Sequence, residues 1–401
     1  MKERIALVVN TLSGGGAEKT AANLSRMLSK QFAVDIIVND DVHLQYEYEG
    51  RVIPLGMPAD KDRMGIAYQI RALVRRTRLL RKLKEKRNYK AVLSFSEMTN
   101  LANVLSGGNT VISVHNSVKN SRASGWKHWL VAEVVFPYCF RRTGKVVACS
   151  KGVNDELMRE YGLPSEKGKV IYNGLELRTI RKKAKEPLDE YVKEKLYEKK
   201  VFVSVGRLIR SKGHRFLLNA VKILKDEGVP VHLIILGEGG ERASLEAQAF
   251  KLGIADDISM PGFVMNPYAY IARADAVVMP SLHEGFGIAV VEALACGAPV
   301  ISTDYEAGAR EILAPDTDYR VKTGDKVEEA KYGILVPVCK SDENDSHAGK
   351  PSKEEVLMAD AMRKILEDKA LARYYRKASL ERAKQLEIRS TCEQWIETIE
   401  G

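Results

Sequence analysis

Five cysteines, Cys139, Cys149, Cys296, Cys339 and Cys392, lie scattered along 401 residues with no CxxC pair among them. An odd, dispersed set supplies neither a disulfide framework nor a zinc site, and it fits a reducing cytoplasm. Long apolar runs are missing too. Residues 5–9 and 231–236 fall far short of the roughly 18 residues that a bilayer-spanning helix needs. Met1-Lys2-Glu3-Arg4 leads straight into a strand-like run, without the apolar segment of a secretion signal. Glycine (30) and proline (13) are too few for a collagen-like or disordered chain. What the chain has is 45% hydrophobic and 29% charged residues, enough apolar material for two cores of ordinary size. Its 63 basic residues exceed the 53 acidic ones, a net charge of +10 that points to an anionic partner without choosing one.

Short β-branched runs alternate with longer helical patterns. Strands are expected at 4–9, 33–38, 91–95, 110–114 and 145–149, then at 201–205, 231–236, 257–260, 275–279 and 299–302. Several are apolar at every position, as parallel strands covered by helices on both faces must be. The pattern predicts an α/β protein of two doubly wound parallel-sheet domains, 1–175 and 201–385. The charge-dense stretch 176–200 is the connector, and 386–401 a C-terminal helix. Two such domains imply a cleft, with ligands beyond the carboxyl ends of the strands.

Three strand ends carry candidate chemistry. The first strand runs into Ser13-Gly14-Gly15-Gly16-Ala17-Glu18, where glycines open a helix whose amides favour an anion. A plain tight turn explains it equally well, since it matches neither GxGxxG nor GxxxxGK[ST]. In the second half, Gly206-Arg207-Leu208-Ile209-Arg210-Ser211-Lys212-Gly213 sets Arg207 and Lys212 five residues apart. Such a pair can converge on one diphosphate, the planar fork beside the point charge. The most specific segment is Ser281-Leu282-His283-Glu284-Gly285-Phe286-Gly287-Ile288, continuing to Glu292. The amides of Phe286, Gly287 and Ile288 would face a phosphate at a helix start. Glu292 falls in an apolar helix, where a carboxylate needs a partner.

Taken together, these residues resemble the retaining GT-B glycosyltransferases of the family-4 type, over nearly the whole chain. Strand-end His115, the Asn173-Gly174 domain exit and the Pro261-Gly262-Phe263 turn add to the likeness. The resemblance implies two Rossmann-like domains facing across a cleft and a nucleotide-sugar donor, UDP-linked above others. It implies that Arg207 and Lys212 neutralise the departing diphosphate and Glu292 holds the ribose hydroxyls. Gly262, Phe263 and Val264 would line the base pocket, and Glu284 would stand at the sugar ring. Gly15 and Gly16 would close over the diphosphate, and His115 would touch the donor sugar or the acceptor. It also sends the C-terminal helix back to the first domain. Two cations and helix-end amides can stabilise the leaving charge without a metal or other cofactor. The triplets Asp60-Lys61-Asp62 and Asp316-Thr317-Asp318 read as turn residues rather than metal ligands.

Residues 66–87 form a predicted helix with nine cations against Glu85 alone. Ile66, Ile70, Leu73, Val74 and Leu80 make its apolar stripe, expected to face the core. Its basic side, with Arg71, Arg75, Arg78 and Lys82, fits an anionic membrane surface or the pyrophosphate of a lipid-linked acceptor. Trp126, Trp129 and the segment 136–142 could add an aromatic–basic contact or belong to the core. The reading is a cytoplasmic enzyme, peripheral on the inner face of the membrane. It would move a hexose or N-acetylhexosamine to a lipid-linked or polysaccharide acceptor. Its rivals are a non-enzymatic polyanion-binding protein and a GT-B enzyme of another reaction, an epimerase or phosphorylase. No aromatic-rich nucleic-acid motif supports a nucleic-acid partner.

Overall fold

A computed structural model describes residues 2–42, 44–57, 66–117, 131–188, 199–340 and 351–401. The chain divides into two compact units, 1–175 with 387–401, and 176–386.

In the first unit the strands are β1 (Arg4–Val8), β2 (Ala33–Val38), β3 (Arg51–Pro54), β4 (Ala91–Ser94), β5 (Thr110–Val114), β6 (Lys145–Ala148) and β7 (Gly168–Val170). They pair in the order β3-β2-β1-β4-β5-β6-β7, every pair parallel. Successive side chains leave a strand on opposite faces. Ile5 and Leu7 therefore enter one core layer, with Leu24, Leu93 and Trp395, while Ala6 and Val8 enter another, with Leu80 and Ala102. The helix Ile388–Glu400 supplies Trp395 and Ile399 to the first layer and packs against the helix Gly16–Leu28. The chain passes out of this unit after Leu175 and returns at Glu387, and those two residues form a parallel bridge, with Ile388 N donating to Leu175 O (3.1 Å).

In the second unit the strands are β8 (Lys200–Val205), β9 (Val231–Leu236), β10 (Ile258–Gly262), β11 (Ala276–Met279), β12 (Val300–Thr303), β13 (Glu328–Ala330) and β14 (Gly333–Val336). The order is β10-β9-β8-β11-β12-β14-β13, parallel except for β13, which runs against β14. Chain order reverses between β8 and β11, so the loops that follow those two strands lie side by side. The helix Leu177–Lys183, in the stretch read from sequence as a connector, is part of this unit. Asn266 Nδ2 donates to Lys183 O (2.9 Å), and Arg273 Nη1 to Ala184 O (3.1 Å). The tail folds as three helices, Lys353–Glu367, Lys369–Gln385 and Ile388–Glu400, broken at Asp368 and at 386–387.

Four strands escape the sequence reading: β3, β7, β13 and β14. The first three have no fully buried run and close the sheet edges or their approaches. β14 is buried at all four positions, yet four residues opening with glycine are too short to stand out.

Candidate active site

The second unit gathers one continuous set of polar groups beyond the carboxyl ends of β8 to β12. After β8 the chain turns through Gly206–Gly213. Gly213 takes φ +67°, and a β-carbon there would overlap Pro280 O, so this position accepts glycine alone. Lys212 lies along Gly206, whose missing side chain leaves room for the lysine stem. Arg207 is exposed, and among the described residues its side chain has no partner.

The loop after β11 meets the loop after β8 directly. Leu282 N donates to Ser211 O (2.8 Å), and Lys212 Nζ pairs with Glu284 Oε1. That oxygen also accepts from Ser281 Oγ (2.9 Å). Lys212 and Glu284 are both largely buried. His283, partly buried, is held below the usual histidine range by burial against the opposing pull of Glu284 and Glu306. His214 begins the next helix fully buried, and burial together with Lys212 lowers it to about 3.

Further along, Phe286 is buried and Gly287 adopts φ +92° at the start of the helix Ile288–Ala295. A β-carbon on Gly287 would overlap the Tyr305 hydroxyl, which donates to Phe286 O (3.2 Å). Tyr305 comes from the loop after β12, so that loop fixes the Phe286–Gly287 turn. Ile288 is partly buried. Glu292, on that helix, is 3% exposed and accepts from Tyr268 Oη (3.0 Å). The partner that an apolar setting demands is thus a tyrosine lying beyond β10.

β10 ends at Gly262, with φ +87°, followed by Phe263, which is half exposed, and Val264, partly buried. Gly237, after β9, donates through its amide to Gly262 O (2.9 Å). Leu208 N donates to Glu238 O (2.9 Å), which ties the β8 and β9 loops together. Sequence reasoning missed Gly237-Glu238-Gly239-Gly240, Tyr268 and Tyr305, and gave Ser281 no role. The glycine cluster was the available signal; Tyr268 and Tyr305 depend on strand order.

The first unit holds the remaining candidates. His115 follows β5; its Nε2 contacts Ser113 Oγ (2.9 Å), and burial lowers it to about 4. Its ring lies 5.7 Å from that of Phe95, and Phe95 lies 5.9 Å from Trp395. Nδ1 is buried without a hydrogen-bond partner among the described residues. Gly15 is extended ahead of the helix Gly16–Leu28, and the Glu18 carboxylate folds back over it. Gly16 is exposed.

On the helix Ile66–Arg87, Arg71, Arg75, Arg78 and Lys82 are exposed. The apolar stripe departs from expectation. Leu80 is buried, but Ile70 is 57% exposed and Val74 42%, on the same side as those cations. The core takes Arg76 instead, which donates to Asn39 Oδ1 and is lowered to about 10 by burial.

Asp316 and Asp318 are exposed, Asp316 pairing with Lys331 (2.7 Å). Asp60, Asp62, Trp126 and Trp129 lie outside the described residues. Of 136–142, Phe136, Cys139 and Phe140 are buried, while Arg141 and Arg142 are exposed. No helix among the described residues is long and apolar enough to cross a membrane.

Comparison with known proteins adds the following. The Glycosyltransferase Family 4 description matches residues 14–179, and Glycosyl transferases group 1 matches residues 189–336. A Campylobacter jejuni protein, N-acetylgalactosamine-N,N'-diacetylbacillosaminyl-diphospho-undecaprenol 4-alpha-N-acetylgalactosaminyltransferase, is 27% identical over 92% of this chain and 94% of its own length. An uncharacterized glycosyltransferase of Methanocaldococcus jannaschii is 29% identical over 71% of each. The solved structure of Anabaena HepE in complex with UDP and glucose superposes with a TM-score of 0.75 at 18% identity, over 99% of both chains.

Proposed function

This chain is a glycosyltransferase of the GT-B fold, with a family 4 first half and a group 1 second half, and from that premise we propose that it is a retaining, metal-independent enzyme drawing on a UDP-linked sugar. It moves a hexose or N-acetylhexosamine to a lipid-linked or polysaccharide acceptor. One observation carries the reading: Arg207, Lys212, Glu284, the Phe286–Ile288 turn and Glu292 all stand beyond the carboxyl ends of one sheet, where Lys212 pairs with Glu284 and Tyr268 holds Glu292.

Cleaving a sugar–phosphate bond builds negative charge on the diphosphate and positive character on the anomeric carbon. Arg207 and Lys212, with the amides at the start of the helix Ile288–Ala295, stabilise the first charge. Glu284 stabilises the second or binds sugar hydroxyls. Glu292, steadied by Tyr268, takes the ribose diol. The base rests by Gly262, Phe263 and Val264. In the first unit His115 stays neutral at physiological pH, so it serves as a hydrogen-bond partner to the donor sugar or the acceptor. Gly15 and Gly16 present amides to the diphosphate. UDP as the nucleotide is supported by the HepE complex, and a lipid-diphosphate acceptor by the Campylobacter relative's activity.

Peripheral attachment to the inner face of the membrane is supported by Arg71, Arg75, Arg78 and Lys82 together with exposed Ile70 and Val74. Each such cation adds about 1 kcal/mol at an anionic surface. Transfer from a panel of UDP-, GDP- and ADP-sugars tests the chemistry. Arg207→Ala and Glu284→Ala are each expected to lower kcat on the order of 100-fold or more, and full activity in both would refute these roles. Sedimentation with phosphatidylglycerol and phosphatidylcholine vesicles tests the attachment. The wild type should follow only the anionic vesicles, and the Arg71/Arg75/Arg78/Lys82→Ala protein neither.

A further inference from the structure

We propose that Ser281 is a positioning residue for Glu284, holding its carboxylate in place when Lys212 is drawn away to the donor diphosphate. The proposal rests on the donor reading above. Two donors reach the same oxygen, Glu284 Oε1: the Lys212 ammonium and the Ser281 hydroxyl. They differ in how freely each can leave.

Lys212 stands on a flexible four-carbon stem laid along Gly206, which offers no side chain to trap it. Ser281 is 1% exposed, and its own carbonyl accepts from Thr303 Oγ1 of β12. The next residue is tied as well, through Leu282 N to Ser211 O (2.8 Å). The hydroxyl is therefore a fixed donor on a clamped backbone.

Arg207 has no side-chain partner among the described residues, whereas Lys212 is engaged with Glu284. A diphosphate arriving at Arg207 carries more negative charge than one carboxylate and competes for the ammonium. Once Lys212 turns, a carboxylate held by it alone would follow. Ser281 keeps Oε1 where it is, so the other oxygen, Oε2, still addresses the sugar. Removing the hydroxyl should leave donor binding intact and impair the step in which Lys212 and Glu284 act on separate charges.

Steady-state transfer and UDP calorimetry on Ser281→Ala, Ser281→Thr and Ser281→Cys test this. Ser281→Ala keeps the backbone carbonyl that Thr303 holds. The expected result is a kcat lowered about 10-fold, with donor KM and the UDP Kd within twofold of wild type. Ser281→Thr, which restores the hydroxyl, should recover most of the loss. Should threonine be too large for the buried site, as a lowered melting temperature would reveal, the near-isosteric cysteine should give an intermediate kcat. An unchanged kcat in Ser281→Ala, or a UDP affinity that falls as far as kcat, overturns the proposal. A wild type that uses a GDP- or ADP-sugar instead overturns the UDP reading alone, and the Ser281 comparison is then made with that donor and its nucleotide.

Discussion

Tyr268 and Glu292 show what single contacts decide at this site. The carboxylate is 3% exposed, and the phenol is one of its donors. Tyr268→Phe should cost on the order of 1–3 kcal/mol of stability, the penalty for weakening the support of a buried charged group. If Glu292 binds the ribose, UDP affinity should fall as well; calorimetry with UDP and with uracil alone would show whether the loss needs the ribose. His214 offers a second residue-scale outcome. Its folded value of about 3 lies below the usual histidine range near 6.5, so the unfolded chain binds the extra proton between those two pH values. This contribution to stability is complete above about 6.5 and declines as pH falls towards 3, by up to about 1.4 kcal/mol per pH unit. Urea unfolding across that window should show His214→Gln with a flatter acid limb than wild type. The residues legible from sequence were those packed into one short stretch, Arg207 with Lys212 and Glu284 with Glu292. Tyr268 and Tyr305 were not, because their nearness to Glu292 and Phe286 arises from the order of β10, β11 and β12.

Among elements, central strands such as β9, buried at all six positions, could be read from composition. β3, exposed or partly exposed at every position, could not, because edge strands carry no continuous apolar run. The helix Ile66–Arg87 was recognisable, but which way it faced was not. Apolar spacing placed Ile70 and Val74 inward, whereas the core admits Arg76 and Leu80 and leaves those two outside. A long arginine stem can cross a core layer and reach Asn39, which spacing alone does not foretell. The helix is tied down by Lys84, whose ammonium donates to Asn103 O (2.9 Å), Asn103 Oδ1 (2.8 Å) and Gly107 O (2.5 Å) at the end of the helix Glu97–Leu105. Burial lowers this lysine to about 7. Lys84→Met should cost about 1–3 kcal/mol, since it strands those acceptors. The measurable sign is a lower melting temperature together with faster amide exchange at the carboxyl end of Glu97–Leu105.

At the scale of the whole molecule, the two passages of chain between the units run side by side at Leu175 and Glu387. Gly174 makes that approach possible: a β-carbon there would overlap Ile388 Cα and Thr391 Oγ1. Gly174→Val should push the helix Ile388–Glu400 off its seat, and limited proteolysis should then cut near 387 faster than in wild type. Trp395 would withdraw from Phe95 with it, so its fluorescence should shift to the red. The discontinuous make-up of the first unit also bears on how the protein is born. A ribosome delivers residues 176–386 as one uninterrupted piece, and the piece that seals the layer around Ile5 and Leu7 emerges only after it. During translation the later unit can therefore mature while the earlier one still waits for its closing helix.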